Sequence, residues 1–243
     1  MPLSLVSRRV GEVTVVTCSG RIVAGQESES LQRYLDDLIP ISPHILLHLN
    51  GVDFIDSAGL GLLARYLTRV QNARGTLKVC ALSPKIDDVL RVTRLRSVFQ
   101  PDDNEADSIT SMNRSARADV SVGAADILCV DPSEDVLAYL RELLREAGYR
   151  AITAANLPDA LILLKATGPK VIVISAELRA SRHTRAAAEF NRSADASLVV
   201  ELPPEFSGRD AADAARQVLT AVRRCTGQAA GSGPHASGIE VES

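Results

Sequence analysis

The residues with the most specific chemistry lie in Gly51-Val52-Asp53-Phe54-Ile55-Asp56-Ser57-Ala58-Gly59-Leu60-Gly61-Leu62-Leu63, where an apolar strand-like run passes into an amphipathic helical one. A serine at this junction sits at or beside a helix N-cap, where its oxygen can accept from backbone N–H groups that have no partner inside the helix. One reading is that Asp56 and Ser57 simply cap the helix. The other rests on their neighbours: Gly59 and Gly61 leave the first turn nearly bare, at about 1 kcal/mol each relative to alanine, which stability does not ask for. A turn stripped of side chains lets another protein approach the backbone and the Ser57 hydroxyl closely. As a nucleophile Ser57 lacks support, because no Gly-x-Ser-x-Gly elbow surrounds it and His44, His48, His183 and His235 show no triad logic. No GxxxxGK[ST] run or protein-kinase signature set is present either, so the serine reads as an acceptor of chemistry and not its agent, and no catalytic residue is assigned.

The elements that must position this segment alternate. Residues 3–9 and 13–19 read as a hairpin turning at Gly11, and residues 26–38 as a helix with Leu31, Leu35 and Leu38 on one face and Pro40 beyond its end. Residues 45–49 form a buried strand and 57–73 a helix with a Leu60, Leu63, Leu67 and Val70 stripe. Then come a strand at 77–81, a short helix over 84–93 and a last strand near Val98. After a stretch rich in Ser, Asp, Asn, Ala and Arg, with one short helix around 106–112, the alternation restarts. Strands are expected at 127–130, 151–154, 171–174 and 198–200, and helices over 133–147, 158–166, 182–190 and 210–224. In the helix of 133–147 the shared face is read as Val136, Leu140, Leu143 and Ala147, with Gly148 as a left-handed stop. Strand–helix alternation of this kind implies an α/β layer fold with parallel crossovers.

This gives a domain at residues 1–112, a linker at 113–125, a second domain at 126–226 and a flexible tail at 227–243, the tail being Gly-, Ser- and Ala-rich without periodicity. Across 243 residues, 46% hydrophobic and 23% charged, the chain has ample material for a core, and collagen-like, coiled-coil or wholly disordered readings are excluded. Lys+Arg against Asp+Glu is 12 to 13 through Met112 and 15 to 17 beyond it. Neither half therefore carries the basic excess of a phosphate-backbone binder, and direct nucleic-acid binding is not expected. Aromatics at 3% with no Trp argue against a base-stacking platform. The apolar runs are too short to cross a bilayer and no signal-like start is seen, so no membrane partner and a cytoplasmic location are expected. Cys18, Cys80, Cys129 and Cys225 are widely spaced, three of them in strand-like runs, and read as reduced core thiols. His44 and His48 can share a strand face, but two histidines without a third ligand do not make a metal site, so neither metal nor cofactor is assigned.

Asp53-Phe54-Ile55-Asp56-Ser57-Ala58-Gly59-Leu60-Gly61 resembles the signature of the STAS family, the anti-sigma-factor antagonist domains of bacteria. The hairpin, Ser19-Gly20-Arg21-Ile22, Leu77-Lys78-Val79 and the 89–99 stretch fall in that family's order, over about residues 3–112. The resemblance implies a STAS-like mixed sheet with helices and a non-enzymatic anti-anti-sigma factor. Ser57 would be phosphorylated by an anti-sigma factor that is itself a serine/threonine kinase. The unphosphorylated form would bind that kinase and free a sigma factor, regulating transcription, and a serine phosphatase would restore it. The partner-binding face would comprise Asp53, Asp56, Ser57, Ala58, Gly59 and Gly61. A scaffold of stressosome type, or a two-component output protein with a working receiver, are the competing readings.

Residues 126–226 resemble a response-regulator receiver, a flavodoxin-like α/β domain. Ile127-Leu128-Cys129-Val130-Asp131-Pro132 matches its first strand and acidic end, and Gly148-Tyr149 the turn before its second strand. Ser175 stands where the resemblance places the phosphate-accepting aspartate, and Pro132 where a second acid belongs. A hydroxyl cannot form an acyl phosphate, and Asp131 alone offers magnesium too few oxygens. Asp131, Glu134 and Asp135 then read as helix-start charges. With one strand before the final helix where a receiver has two, this half is expected to be a truncated pseudo-receiver serving docking or self-association, for instance as a homodimer, or else a degenerate α/β domain retained as a tether or for stability.

Overall fold

The computed structural model describes residues 1–118, 126–180, 184–202 and 211–226. Two antiparallel strands, β1 (Ser4–Val10) and β2 (Val13–Ile22), turn at Gly11, whose φ of 64° lies in the left-handed region that glycine favours. Helix α1 (Gln26–Leu38) leads to β3 (His44–Ile55), α2 (Ser57–Asn72) and β4 (Thr76–Cys80). Short helices α3 (Pro84–Val92) and α4 (Arg96–Phe99) follow. The expected strand near Val98 is therefore a helical turn: Phe99 is buried while Val98 is half exposed, and Gln100 ends the turn with a φ of 44°. Strand β3 runs six residues past the expected 45–49 because β2 carries irregularities between Thr17 and Ser19 and between Gly20 and Arg21, which keep the pair in register to Ile22 and Ile55.

Helix α5 (Glu105–Ala118) is longer than the expected turn over 106–112 and enters the segment read as a linker; the rest of that segment, 119–125, lies outside the described residues. Then follow β5 (Asp126–Val130), α6 (Glu134–Glu146), β6 (Arg150–Ala154), α7 (Leu157–Thr167), β7 (Val171–Ser175), α8 (Ala176–Ala180), α9 (Arg185–Ser193), β8 (Leu198–Leu202) and α10 (Ala211–Thr226). In α6 the fully buried stripe is Leu137, Leu140 and Leu144, with Val136, Leu143 and Ala147 only partly covered, so the core-facing side is rotated from the one expected. The tail read at 227–243 lies outside the described residues, as do His183 and His235.

Among the described residues the strands form one mixed sheet, ordered β4-β3-β2-β1-β6-β5-β7-β8. Its C-terminal part, β6-β5-β7-β8, is all parallel with the order 2-1-3-4, a doubly wound arrangement. The seam is the antiparallel contact of β1 with β6, where Val10 pairs with Ala154 and Gly11 N donates to Thr153 O at 2.8 Å. The seam is short in backbone bonds but well packed on one face. Val10, Val13, Val15, Ile109 and Met112 share a core with Leu128, Val130, Leu157, Leu163, Ile174 and Phe190.

Polar groups complete this junction. Asn113 of α5 accepts from Glu12 N at 2.9 Å and donates to Ile109 O at 2.9 Å and Val10 O at 3.3 Å. Arg8 Nε donates to Asp159 Oδ2 at 3.0 Å, and its Nη2 pairs with Glu105. Burial pulls the Arg8 guanidinium down, but its hydrogen bonds to Asp159 and Glu105 outweigh this and hold it above its ordinary value. Three of the cysteines, Cys18, Cys80 and Cys129, are buried in the sheet, and desolvation pushes each thiol up to about 12.

Candidate functional site

Strand β3 ends at Ile55, and Asp56 turns the chain into α2 from an extended conformation. Its carboxylate does two jobs. Oδ1 accepts from Gly59 N at 2.8 Å, the N-cap bond, and Oδ2 accepts from Ala24 N at 2.9 Å, in the loop after β2. Asp56 N donates to Ile22 O at 3.2 Å, so the helix mouth is tied to the end of β2 on both sides. The backbone N–H groups of Ala24 and then Gly59 favour the ionised form and hold the Asp56 carboxyl below its usual value.

The cap is thus Asp56, and Ser57 is the first helical residue, exposed together with Ala58. The Ser57 hydroxyl is not the group that satisfies the helix end. The two glycines differ in kind. A Cβ at Gly59 would lie 2.4 Å from Ile22 O and 2.9 Å from both Ile22 Cγ2 and Ile55 Cγ1, so glycine there answers to packing inside the protein. A Cβ at Gly61 would meet nothing within 4 Å, and this position faces open space. Asp53 is exposed as well.

Two neighbours of this face were not among the residues singled out from sequence. Arg21 and Phe54 are paired across β2 and β3, the guanidinium carbon lying 5.6 Å from the ring centroid, and Phe54 is 50% exposed. The signal was present as a large apolar residue between Asp53 and Ile55, but its face depends on a register that the β2 irregularities set.

At the carboxyl edge of the C-terminal strands, Asp131 follows β5 and Ser175 ends β7, one residue beyond the pairing of Val130 with Ile174. Asp131 is 8% exposed and its Oδ1 accepts from Ser133 N at 2.8 Å. Burial pushes its carboxyl above the usual range, the Ser133 N–H opposes this, and Glu177 adds to it. Ser175 Oγ accepts from Leu178 N at 3.5 Å. Glu134 and Asp135 occupy the first turn of α6, where they complement the helix dipole. Among the described residues no three His, Cys, Asp or Glu side chains are grouped to hold a metal ion. His48 Nε2 lies 3.9 Å from Glu105 Oε2, on the opposite side of the sheet core from α2.

Residues 4–108 match the STAS domain family model, and the N-terminal part of the chain is a STAS domain with the mixed sheet and helices that go with it. The anti-sigma F factor antagonist of Paenibacillus polymyxa is 28% identical over 102 residues, covering 41% of this chain and 86% of that protein. Protein Rrf1 of Nitratidesulfovibrio vulgaris is 41% identical over 54 residues, 22% of this chain, so the match spans only 39% of that protein. Among solved structures, an anti-sigma factor antagonist from Mycobacterium paratuberculosis aligns with 45% of this chain and 93% of its own at 20% identity and a TM-score of 0.39. The chain thus has an anti-sigma factor antagonist among its relatives by sequence. Among the described residues no helix is long and apolar enough to cross a membrane.

Proposed function

We propose that this protein is an anti-anti-sigma factor that works by partner switching at Ser57. In the unphosphorylated form the face made by Asp53, Asp56, Ser57, Ala58 and Gly61 docks on an anti-sigma factor kinase, while Gly59, expected on that face from sequence, is buried behind it against Ile22 and Ile55. Phosphorylation of Ser57 by that kinase releases the complex, and a serine phosphatase resets it. The observation that carries this reading is the division of labour at the mouth of α2: Asp56 makes the cap, which leaves the Ser57 hydroxyl exposed and dispensable to the fold.

The physical consequences follow from position. A phosphate on Ser57 adds about −1.5 to −2 charges at the positive end of a sixteen-residue helix, a place that favours anions by about 0.3–1 kcal/mol. The domain therefore keeps its fold on modification. A partner shaped for a neutral hydroxyl would instead have to desolvate a dianion standing beside Asp53 and Asp56, and binding is lost across the interface. Phe54 and Arg21 supply an apolar, cationic shoulder to the same contact.

For the C-terminal half the reading is a pseudo-receiver: the 2-1-3-4 strand order supports the receiver likeness, and Ser175 beside a lone Asp131 leaves no aspartyl-phosphate chemistry. Its role is docking or self-association. The test of the switch is capture of the full chain on a candidate anti-sigma kinase with and without ATP, followed by peptide mass spectrometry. Phosphate on Ser57 together with release supports the proposal; release without modification of Ser57, or modification without release, overturns it.

A further inference from the structure

On one face of the sheet α5 and α7 bridge the seam, whereas on the other face α1 and α6 stand apart and leave a cleft of about 400 Å³ between the two halves. Its floor is β1, β2 and β6, with Ser7, Arg9, Thr14, Thr153 and Ala155, and its walls are the end of α1 with Ile41 and Ser42 and the first turns of α6 up to Arg141. This volume falls in the range of small-molecule sites.

The floor is polar where a bare structural seam would be apolar. Arg9 and Thr14 are directly opposed across β1 and β2, and Thr14 Oγ1 donates to Ser42 Oγ at 2.8 Å. Arg141 reaches down from α6, and its Nη2 donates to Thr153 Oγ1 at 2.7 Å. A guanidinium offers five donors. Among the described residues the Thr153 hydroxyl is the side-chain acceptor that Arg141 reaches, and no carboxylate lies within ion-pair distance of it. Arg141 is half-buried, and desolvation first and the charge of Arg9 second make its cation costly, with Glu12 only partly offsetting them. Glu12 itself sits 3.6 Å from Arg9. Glu134 and Asp135 are exposed in the first turn of α6, along the rim.

We infer that this cleft binds a small oxyanion-bearing ligand, a phosphate or carboxylate group held between Arg141 and Arg9 with the Ser7 hydroxyl in reach of the same floor. Such a group supplies the acceptors that the Arg141 fork lacks and relieves the repulsion of the two arginines. Because its two cationic contacts come from different halves of the chain, the ligand also stabilises the seam.

The test uses the full chain in isothermal titration, with sodium phosphate and trisodium citrate in separate arms at constant ionic strength and sodium chloride as control. Saturable binding in either arm is expected, the stronger arm naming the phosphate or carboxylate source. Losing charge-assisted hydrogen bonds in Arg141→Gln should weaken it by about ten- to a hundredfold. Arg141→Lys, which keeps the charge but not the fork, should fall between, and Arg9→Gln provides the second variant if Arg141→Gln does not fold. No saturable heat in either arm, or unchanged affinity in the folded glutamine variants, overturns the inference.

Discussion

Alanine at position 59 and alanine at position 61 should act in opposite directions, although both replace a glycine in the same turn of α2. At 59 the new Cβ is driven to 2.4 Å from Ile22 O. That carbonyl has little room to retreat, because it accepts from Asp56 N and ends a strand hydrogen-bonded to β3. Overpacking of this kind costs about 1–3 kcal/mol, and a backbone neighbour puts it toward the upper end. The gain in helix propensity returns about 1 kcal/mol, leaving a net loss of about 1–2 kcal/mol. At 61 there is no contact to offset, so the same propensity gain appears as about 0.5–1 kcal/mol of stabilisation. For a chain of this length each kcal/mol moves Tm by about 2–4 °C. Scanning calorimetry should therefore place Gly59→Ala about 2–8 °C below and Gly61→Ala about 1–4 °C above the parent protein. Shifts of the same sign would refute the assignment of Gly59 to internal packing and Gly61 to an open surface. Under the proposed function Gly61→Ala also weakens capture by the anti-sigma kinase while the fold gains.

The shared core and single sheet imply that both halves unfold together: calorimetry should give one transition, and Leu163→Ala, costing about 2–5 kcal/mol, should lower amide protection in β1 as well as in α7. Asp56 and Asp131 should show opposite pH signatures. The lowered carboxyl of Asp56 stabilises the folded state above the ordinary carboxylate range, an advantage lost as pH falls through its folded value; Asp56→Ala, costing about 1 kcal/mol at pH 7, should approach the parent in urea midpoint as the solution is acidified. The raised carboxyl of Asp131 works the other way, its ionisation weighing against the fold as pH rises past the unfolded value, so Asp131→Asn should gain on the parent between about pH 4 and pH 7. Magnesium-dependent uptake of beryllofluoride by the full chain is not expected, and its detection by fluorine NMR would restore a working receiver.

The site was legible because the Asp56-Ser57 junction is local: a strand end, a cap and a first turn are written in consecutive residues. Which oxygen does the capping was not, since Asp56 is selected by its second bond to Ala24, a partner 32 residues away. The reason for Gly59 likewise lies in Ile22, and no spacing within α2 reports it. Val98 looked like a strand because a lone β-branched residue beside Phe99 carries no periodicity to decide between a turn of helix and an extended run. The length of α5 was hidden for a different reason. Its polar face is occupied by Asn113, buried against the β1–β2 turn, so the helix shows a weak apolar stripe even though its Ile109 and Met112 join a core built mostly by the other half. Strands β5 and β7 were read more easily, being short apolar runs buried on both faces.

Whether Ser57 is the switch is decided by the affinity of its variants for the anti-sigma kinase, measured by surface plasmon resonance without ATP. Ser57→Ala should bind as the parent does with an unchanged Tm, and Ser57→Asp, by placing a charge against a surface made for a hydroxyl, should bind about a hundredfold more weakly. Equal affinity of the alanine and aspartate variants would contradict the switch.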